Sequence, residues 1–333
     1  MARVAVIILN WNGAKLLQEF LPSVIAHTNM GLGRIVVADN ASTDASLELL
    51  RSEFPMVDVM CFDRNYGFAG GYNRAIAAVE EEIVVLLNSD VEVVSGWLEP
   101  LVGLLDREPL LAAVQPKIKA YRQKSDFEYA GACGGFIDHL GFPFCRGRIL
   151  DVTETDRGQY DDICEVFWCS GAALCIRKEI YLQMGGLDER FFAHMEEIDL
   201  CWRIRNAGWY LKVQPASVVY HLGGGSLPMN HPRKLFLNYR NNLLMLYKNL
   251  SRRSWRKLRW QRWCLDMAAA VLFLLKGEPA NSKSVFQAYR EFREMKSSYS
   301  SFQKERKDPC IFQGSILFKF YFGRVHCFSR LWK

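Results

Sequence analysis

Residues 4–87 hold four strand-like segments separated by stretches with helical spacing, and this alternation limits the possible folds more than any other feature. The segments are residues 4–9, 35–38, 57–62 and 83–87, all apolar throughout except the third, which includes Asp58. Uninterrupted apolar strands suit a sheet covered by helices on both faces. Residues 15–27 and 70–81 have the intervening helical pattern, and Ser42-Thr43-Asp44 supplies capping chemistry for a third helix running to residue 50. Strands alternating with helices imply an α/β fold with a doubly wound, mostly parallel sheet. Residues 117–165 read as loops and short strands, 167–177 as a strand and 196–207 as a helix. Near Gly223-Gly224-Gly225 the pattern turns basic and helical, which divides the chain into a sheet domain, 1–225, and a basic, mainly helical C-terminal region, 226–333.

The segments that end these strands point to a ligand. They are Asn10-Trp11-Asn12-Gly13, Asp39-Asn40-Ala41-Ser42-Thr43-Asp44, the glycine-rich stretch from Asn65 through Gly70 to Asn73, and Asn88-Ser89-Asp90. Each taken singly is ordinary turn chemistry. Four polar segments at the carboxyl ends of successive strands argue jointly for a site, since that edge is where such sheets bind ligands. Asp39 can accept from a base N–H or a ribose hydroxyl. The glycines let backbone approach a phosphate at a helix N-terminus. A buried Asp90 requires a partner or a metal, and oxygen ligands beside a diphosphate suit Mg2+ or Mn2+. No G-x-G-x-x-G follows the first strand and no P-loop motif occurs, which disfavours dinucleotide and P-loop folds.

Two later segments add reactive groups. Glu196, Glu197 and Asp199 open a helix, where they are either favourable charge at its N-terminus or a carboxylate cluster in which repulsion and burial create a general base. His221 ends a strand before the glycines, as a structural residue or as a contact for metal or phosphate.

Charge is divided along the chain. Residues 1–225 carry 20 Lys and Arg against 30 Asp and Glu, a net −10, while residues 226–333 carry 22 against 6, a net +16. The basic part interleaves Arg and Lys with Trp255, Trp260 and Trp263, then runs apolar to Leu275 with Asp266 interrupting. This pattern suits an interfacial segment on an anionic membrane surface, or a helical layer packed on the acidic body. No recognition motif accompanies the charge, so nucleic acid is not expected. The ten cysteines include no C-x-x-C pair and read as buried free thiols in a reducing compartment. The N-terminus reads as a first strand rather than a signal peptide, and no run of uncharged apolar residues is long enough to span a bilayer.

In this order, these segments resemble the family 2 glycosyltransferases of the GT-A fold, over roughly residues 3–225 and closest to the bacterial rhamnosyltransferase-like branch. Gly185-Gly186-Leu187-Asp188-Glu189 and Glu196-Glu197-Ile198-Asp199-Leu200-Cys201-Trp202-Arg203 complete the resemblance. It implies an inverting transfer from a nucleoside-diphosphate sugar to a hydroxyl of a glycan or lipid-linked acceptor, in bacterial cell-surface polysaccharide synthesis. The donor leans toward deoxythymidine diphosphate rhamnose. By this resemblance Asn10, Asn12 and Asp39 line the nucleotide pocket, while Asn65, Gly70 and Asn73 lie along the donor. Asn88-Ser89-Asp90 takes the D-x-D position with Asn88 replacing its first carboxylate, so Asp90 and His221 hold the metal, Mg2+ or Mn2+. Glu197 is the base. Glu196, Asp199, Asp188 and Trp168 stand on the acceptor side. The implied location is cytoplasmic, peripheral on the inner face of the membrane. The alternatives are a non-catalytic nucleotide-sugar-binding protein, or a sugar nucleotidyltransferase, which would need a basic glycine-rich loop after the first strand.

Overall fold

The computed structural model describes residues 3–223, 231–299 and 308–331. Residues 224–225, where the sequence places its domain boundary, lie outside them. The chain begins with strand β1 (Val4–Asn10), helix α1 (Ala14–His27), β2 (Gly33–Asp39), α2 (Ser46–Glu53), β3 (Asp58–Cys61), α3 (Gly67–Ala78) and β4 (Ile83–Asn88). Then come β5 (Val91–Val93), α4 (Glu99–Arg107), β6 (Leu111–Ala120), β7 (Gly135–Asp138), β8 (Pro143–Cys145), β9 (Arg148–Ile149) and β10 (Val152–Thr153). The remainder is β11 (Cys164–Val166), β12 (Ala173–Arg177), α5 (Lys178–Gln183), α6 (Glu196–Asn206), β13 (Tyr210–His221), α7 (Pro232–Asn249), α8 (Arg252–Leu275), α9 (Pro279–Met295), β14 (Ile311–Phe312) and α10 (Ile316–Tyr321).

The four segments become β4, β1, β2 and β3, one half of a main sheet whose order is β11-β13-β6-β12-β4-β1-β2-β3 with β5 pairing β13; β3 is its edge strand and is mostly exposed. β1 is parallel to both β2 and β4, and β2 to β3, as the alternation requires. β12 enters antiparallel between β4 and β6, so the far half of the sheet is mixed. Val4, Val6 and Ile8 pack into one buried cluster and Ala5 and Ile7 into another, as period-2 strands covered on both faces must. A second, smaller sheet runs β10-β9-β8-β7-β14.

Three boundaries differ from expectation. α2 starts at Ser46, because Asp44 Oδ2 accepts from the Ala14 amide and its Oδ1 from that of Ser46, holding 42–45 outside the helix. α3 starts at Gly67, whose φ of 71° lets the chain turn in before the expected Gly70. β6 lies partly in a stretch that reads as loop, because its polar Gln115 and Lys117 are buried with partners distant in sequence. All ten cysteines are free, but Cys61 and Cys264 are exposed rather than buried.

The basic helices are built into the body. Leu243, Leu244, Met245 and Leu246 of α7 belong to the same buried cluster as Ala5, Ile7 and Phe191.

Candidate functional site

Strand pairing brings the polar ends together. Asn10 lies beside Asp39, and Leu9 beside Asn88. Both Asn10 and Asp39 are almost wholly buried, and the Asn10 amide donates to Asp39 Oδ1 at 2.9 Å and to Ser42 Oγ at 3.1 Å. The Ser42 backbone N–H donates to Asp39 Oδ2 at 2.9 Å. Asn12, at φ 51°, accepts the Thr43 N–H at 2.7 Å, so the loops after β1 and β2 are laced together. Asn10 Oδ1 is buried without a partner and faces Gly13, where a Cβ would lie 2.4 Å away.

Asn40 carries the lacing onward: its amide donates to Asn65 Oδ1 at 2.9 Å and to the Gly67 carbonyl at 3.0 Å. Asn65 in turn accepts from the Gly67 N–H at 2.8 Å, forming the mouth of α3. A Cβ on Gly70 would lie 3.1 Å from both Tyr66 and Arg74, so the helix packs closely there. Asn73 acts differently from expectation. It donates to the Leu187 carbonyl and accepts from the Leu187 N–H, both at 2.9 Å, and from Tyr181 Oη at 2.6 Å. Its polar atoms therefore tie α3 to the loop before α6, leaving none for a donor.

Ser89 and Asp90 form the turn between β4 and β5. Since β5 pairs with β13 and sets Val91 opposite His221, Asp90 Oδ1 comes 3.1 Å from His221 Nε2. Asn88 Nδ2 lies 3.4 Å from that same nitrogen. On the other side of the ring, Glu128 Oε1 stands 3.5 Å from Nδ1. Burial would push the His221 pKa down, but the two carboxylates outweigh it and raise it to about 10. Burial likewise opposes ionisation of Asp90, and the contact with His221 overcomes it, leaving that carboxyl below its ordinary value. The reading of the sequence missed Glu128, an isolated acid in a loop with no motif around it.

The acidic trio divides. Glu197 is partly accessible, and burial of its carboxyl raises the pKa to about 7. Glu196 is 5% exposed with Oε2 unpartnered, and burial followed by repulsion from Glu197 pushes it well above its ordinary value. Asp199 leaves the group. Fully buried, it accepts from Arg203 at 2.9 Å, Lys248 at 2.7 Å and Asn249 at 2.8 Å, so it fastens α6 to α7 and does not face an acceptor. Trp168 is also misassigned by the sequence: its ring packs on Gly135, and its indole N–H donates to the Phe136 carbonyl at 2.9 Å inside the core. Asp188 does shape a loop, accepting the Arg190 N–H at 3.2 Å and bonding Lys248 at 2.7 Å.

A chain of contacts joins Glu197 to the strand ends. A Cβ built on Gly171 would lie 3.7 Å from Glu197 Cβ and 3.4 Å from the Phe68 ring. Phe68 packs edge-on against Tyr72, whose hydroxyl donates to the Leu87 carbonyl at 2.9 Å. The Asn88 N–H donates to the Ala172 carbonyl at 3.0 Å. The base candidate, the glycine-rich mouth and the Asn88-Ser89-Asp90 turn thus share one edge of the sheet. Phe192, His194 and Met195, just before the trio, have φ of 67°, 70° and 72°. Side chains tolerate that region at a cost of roughly 1–2 kcal/mol each, so tertiary contacts hold the loop in shape.

Among the described residues, no group of three or more His, Cys, Asp or Glu is arranged to hold a metal by itself. Asp90 and His221 are paired as carboxylate and imidazolium, so a cation would have to displace the shared proton before Nε2 could serve as a ligand; it would then find one carboxylate and one imidazole and take its other ligands from phosphate and water.

Residues 5–151 match the family described as Glycosyl transferase family 2. N-acetylglucosaminyl-diphospho-decaprenol L-rhamnosyltransferase of Mycobacterium tuberculosis is 29% identical over 223 residues, covering 62% of this chain and 71% of that one. The dTDP-rhamnosyl transferase RfbF of Shigella flexneri is 23% identical over 229 residues, or 65% and 71% of the two chains. Two solved structures share the fold at low identity. Mannosyltransferase PcManGT from Pyrobaculum calidifontis, in complex with GDP-Man and Mn2+, has a TM-score of 0.52 at 14% identity, with 87% of each chain covered. GalNAc-T7 with UDP, GalNAc and Mn2+ has a TM-score of 0.58 at 16% identity; the match covers 97% of this chain and 57% of that one.

Proposed function

We propose that this chain is a family 2 glycosyltransferase of the GT-A fold that moves a deoxyhexose from a nucleoside diphosphate to a hydroxyl of a lipid-linked glycan, with inversion. The observation that carries the reading is Glu197: a partly accessible carboxyl with its pKa raised to about 7, joined through Gly171, Phe68 and Ala172 to the polar strand ends. In this reading Asn10, Asn12, Asp39 and Asn65 form the nucleotide wall, and Asn88, Ser89 and Gly70 lie beside the diphosphate. Asp39, itself buried, holds Asn10 and the Ser42 backbone and so fixes the shape of this wall from behind. Glu197 takes the proton of the acceptor hydroxyl as its oxygen attacks the anomeric carbon, and the nucleoside diphosphate departs from the opposite face. Glu196, buried and neutral, leaves Glu197 as the carboxylate of the pair that ionises. Asp188 shapes the acceptor-side loop.

Asp90 and His221 would hold Mg2+ or Mn2+. When bound there, such an ion neutralises charge developing on the leaving diphosphate. The named activities of the two rhamnosyl-transferring relatives support rhamnose as the sugar, and the decaprenol of one supports a polyprenyl-linked acceptor. A lipid acceptor fits peripheral attachment to the inner face of the cell membrane through the basic helices. Among the described residues no helix is long and apolar enough to cross a membrane.

Glu197→Gln preserves size and removes basicity. Its turnover should fall by about 10²–10⁴, while the thermal shift produced by deoxythymidine diphosphate with Mn2+ stays as in wild type. Near-wild-type turnover would overturn the assignment. A panel of nucleoside diphosphates and nucleotide sugars in the same assay identifies the donor, because stabilisation follows occupancy.

A further inference from the structure

We infer that helix α7 clamps the loop leading into the helix that carries the general base, and that Asn241 is the positioning residue at the centre of the clamp. The inference rests on the role given to Glu197 above and extends it to a helix outside the segment that matches the family, residues 5–151.

The backbone from Asp188 to Met195 turns through left-handed conformations at Phe192, His194 and Met195 without a glycine at any of them. Met195 is the residue from which α6 starts, so the direction of the helix, and with it the placement of Glu196 and Glu197, follows from how this loop is held. Asn241 holds it. The residue is fully buried, and its side-chain nitrogen lies 2.9 Å from the Phe191 carbonyl, 2.8 Å from that of Ala193 and 2.8 Å from that of His194. Two amide hydrogens serve three carbonyls of one short loop, so a single side chain ties Phe191, Ala193 and His194 together. The amide itself is oriented: Arg240 Nε donates to Asn241 Oδ1 at 2.9 Å, while the guanidinium also reaches the Phe191 carbonyl at 3.0 Å and Glu291 of α9 at 3.0 Å.

The same helix fastens both ends of the loop. Lys248 bridges Asp188, at its start, and Asp199, in the first turn of α6, at 2.7 Å each. Asn249 donates to the other oxygen of Asp199 at 2.8 Å. None of these groups bonds to Asn10, Asp39 or Asn65, which hang on β1, β2 and the mouth of α3. α3 is bonded to the start of the loop, through Asn73 to Leu187 and Arg74 to Glu189, and not to the carbonyls that Asn241 holds, so residues 191–195 can loosen while the nucleotide wall stays in place. Misplacement of a reacting group by as little as an ångström is enough to cost about 10²-fold in rate.

The test compares Asn241→Asp, which faces carboxylate oxygens at three carbonyls, and Lys248→Met with wild type, in the full chain. Three quantities are measured: deoxythymidine diphosphate affinity with Mn2+ by calorimetry, kcat and KM for transfer, and amide hydrogen exchange. Asn241→Asp should lower kcat about 10²-fold, leave nucleotide affinity and donor KM unchanged, and speed exchange selectively over residues 190–200. Lys248→Met should act in the same direction on the same amides, and it carries the test if Asn241→Asp does not fold. Unchanged kcat and exchange in a folded variant would overturn the inference. So would a uniform rise in exchange together with loss of nucleotide binding, the mark of general destabilisation. If wild type transfers no sugar, the proposed function fails, and the exchange comparison alone still decides whether α7 holds the loop.

Discussion

A solvated glutamate ionises near pH 4.5 and is too weak a base to draw a proton from an alcohol at neutral pH. Burial corrects this for Glu197 by raising its pKa to about 7, and Glu196 beside it is raised further by burial and by Glu197 itself. A general base works ionised, so with Glu197 in the proposed role kcat should decline as pH falls through about 7 and stay level above it. A profile flat down to pH 5 would remove Glu197 from the role. Stability has the opposite dependence. A carboxyl whose pKa is higher in the folded chain contributes stability fully below its unfolded value, and loses it as pH rises through the folded value. At pH 8 the ionised Glu197 therefore weighs against the fold, and Glu197→Gln should melt no lower than wild type. A lower melting temperature for this variant at pH 8 would show that its carboxylate is held by partners, contrary to its burial. Loss of activity without loss of stability is the pattern expected of a group strained for function.

At the scale of elements, close approach decides what a side chain can be used for. A Cβ on Gly135 would fall 2.0–2.5 Å from atoms of the Trp168 indole, which is fixed by its bond to the Phe136 carbonyl. Gly135→Ala should thus lower unfolding free energy by about 1–3 kcal/mol in urea titration, as overpacking does, with acceptor KM unchanged. A change in acceptor KM without loss of stability would return Trp168 to the acceptor side. This residue shows where reading the sequence stops. The apolar runs of β1, β2 and β4 were legible because burial on both faces leaves no other composition. The strand-end positions of Asn10, Asp39 and Asp90 were legible because polar residues end or follow those runs, and that of His221 because it closes a later strand, β13. Trp168 and Asp199 were not. An aromatic and an acid near a motif look alike whether they face a cleft or the core, and only Gly135 and Lys248, distant in sequence, decide between them. β6 was hidden for the same reason. Gln115 accepts from the Ser170 N–H at 2.9 Å and Lys117 pairs with Asp156 at 3.1 Å, so two polar residues within a buried strand are satisfied by partners that the local pattern does not reveal.

On the scale of the whole molecule, the net −10 of the body and +16 of the remainder do not simply neutralise each other. α8 sorts its residues by face. Trp255, Leu258, Arg262, Asp266 and Ala270 turn inward, and Arg262 reaches the Leu140 carbonyl at 3.0 Å and Asn242 Oδ1 at 2.8 Å, so one cation of the basic run is structural. Asp266, which seems to interrupt an apolar stretch, accepts from Tyr289 Oη at 2.8 Å. The outward face carries exposed Arg253, Arg256 and Lys257 near its start, then Trp260 at 61% exposure and Leu275 at 78%. Beyond the helix end, a groove of about 410 Å³ opens between Leu274, Pro279 and Phe286, with Lys283 and Arg290 beside it. Cations at one end and bare apolar side chains at the other suit the headgroup and acyl levels of an anionic leaflet, where each Lys or Arg near the surface adds about 1 kcal/mol. Deleting residues 226–333 would not test this, because it removes α7 from the core. A surface variant does: Trp260→Ser with Arg253→Glu and Lys257→Glu leaves every inward residue of α8 in place. Wild type should float with vesicles containing anionic lipid, release as salt rises, and ignore neutral vesicles, while the variant should stay in solution with wild-type nucleotide affinity. Equal flotation of the two proteins would mean that α8 does not meet the bilayer, and would remove the support this face gives to a lipid-linked acceptor.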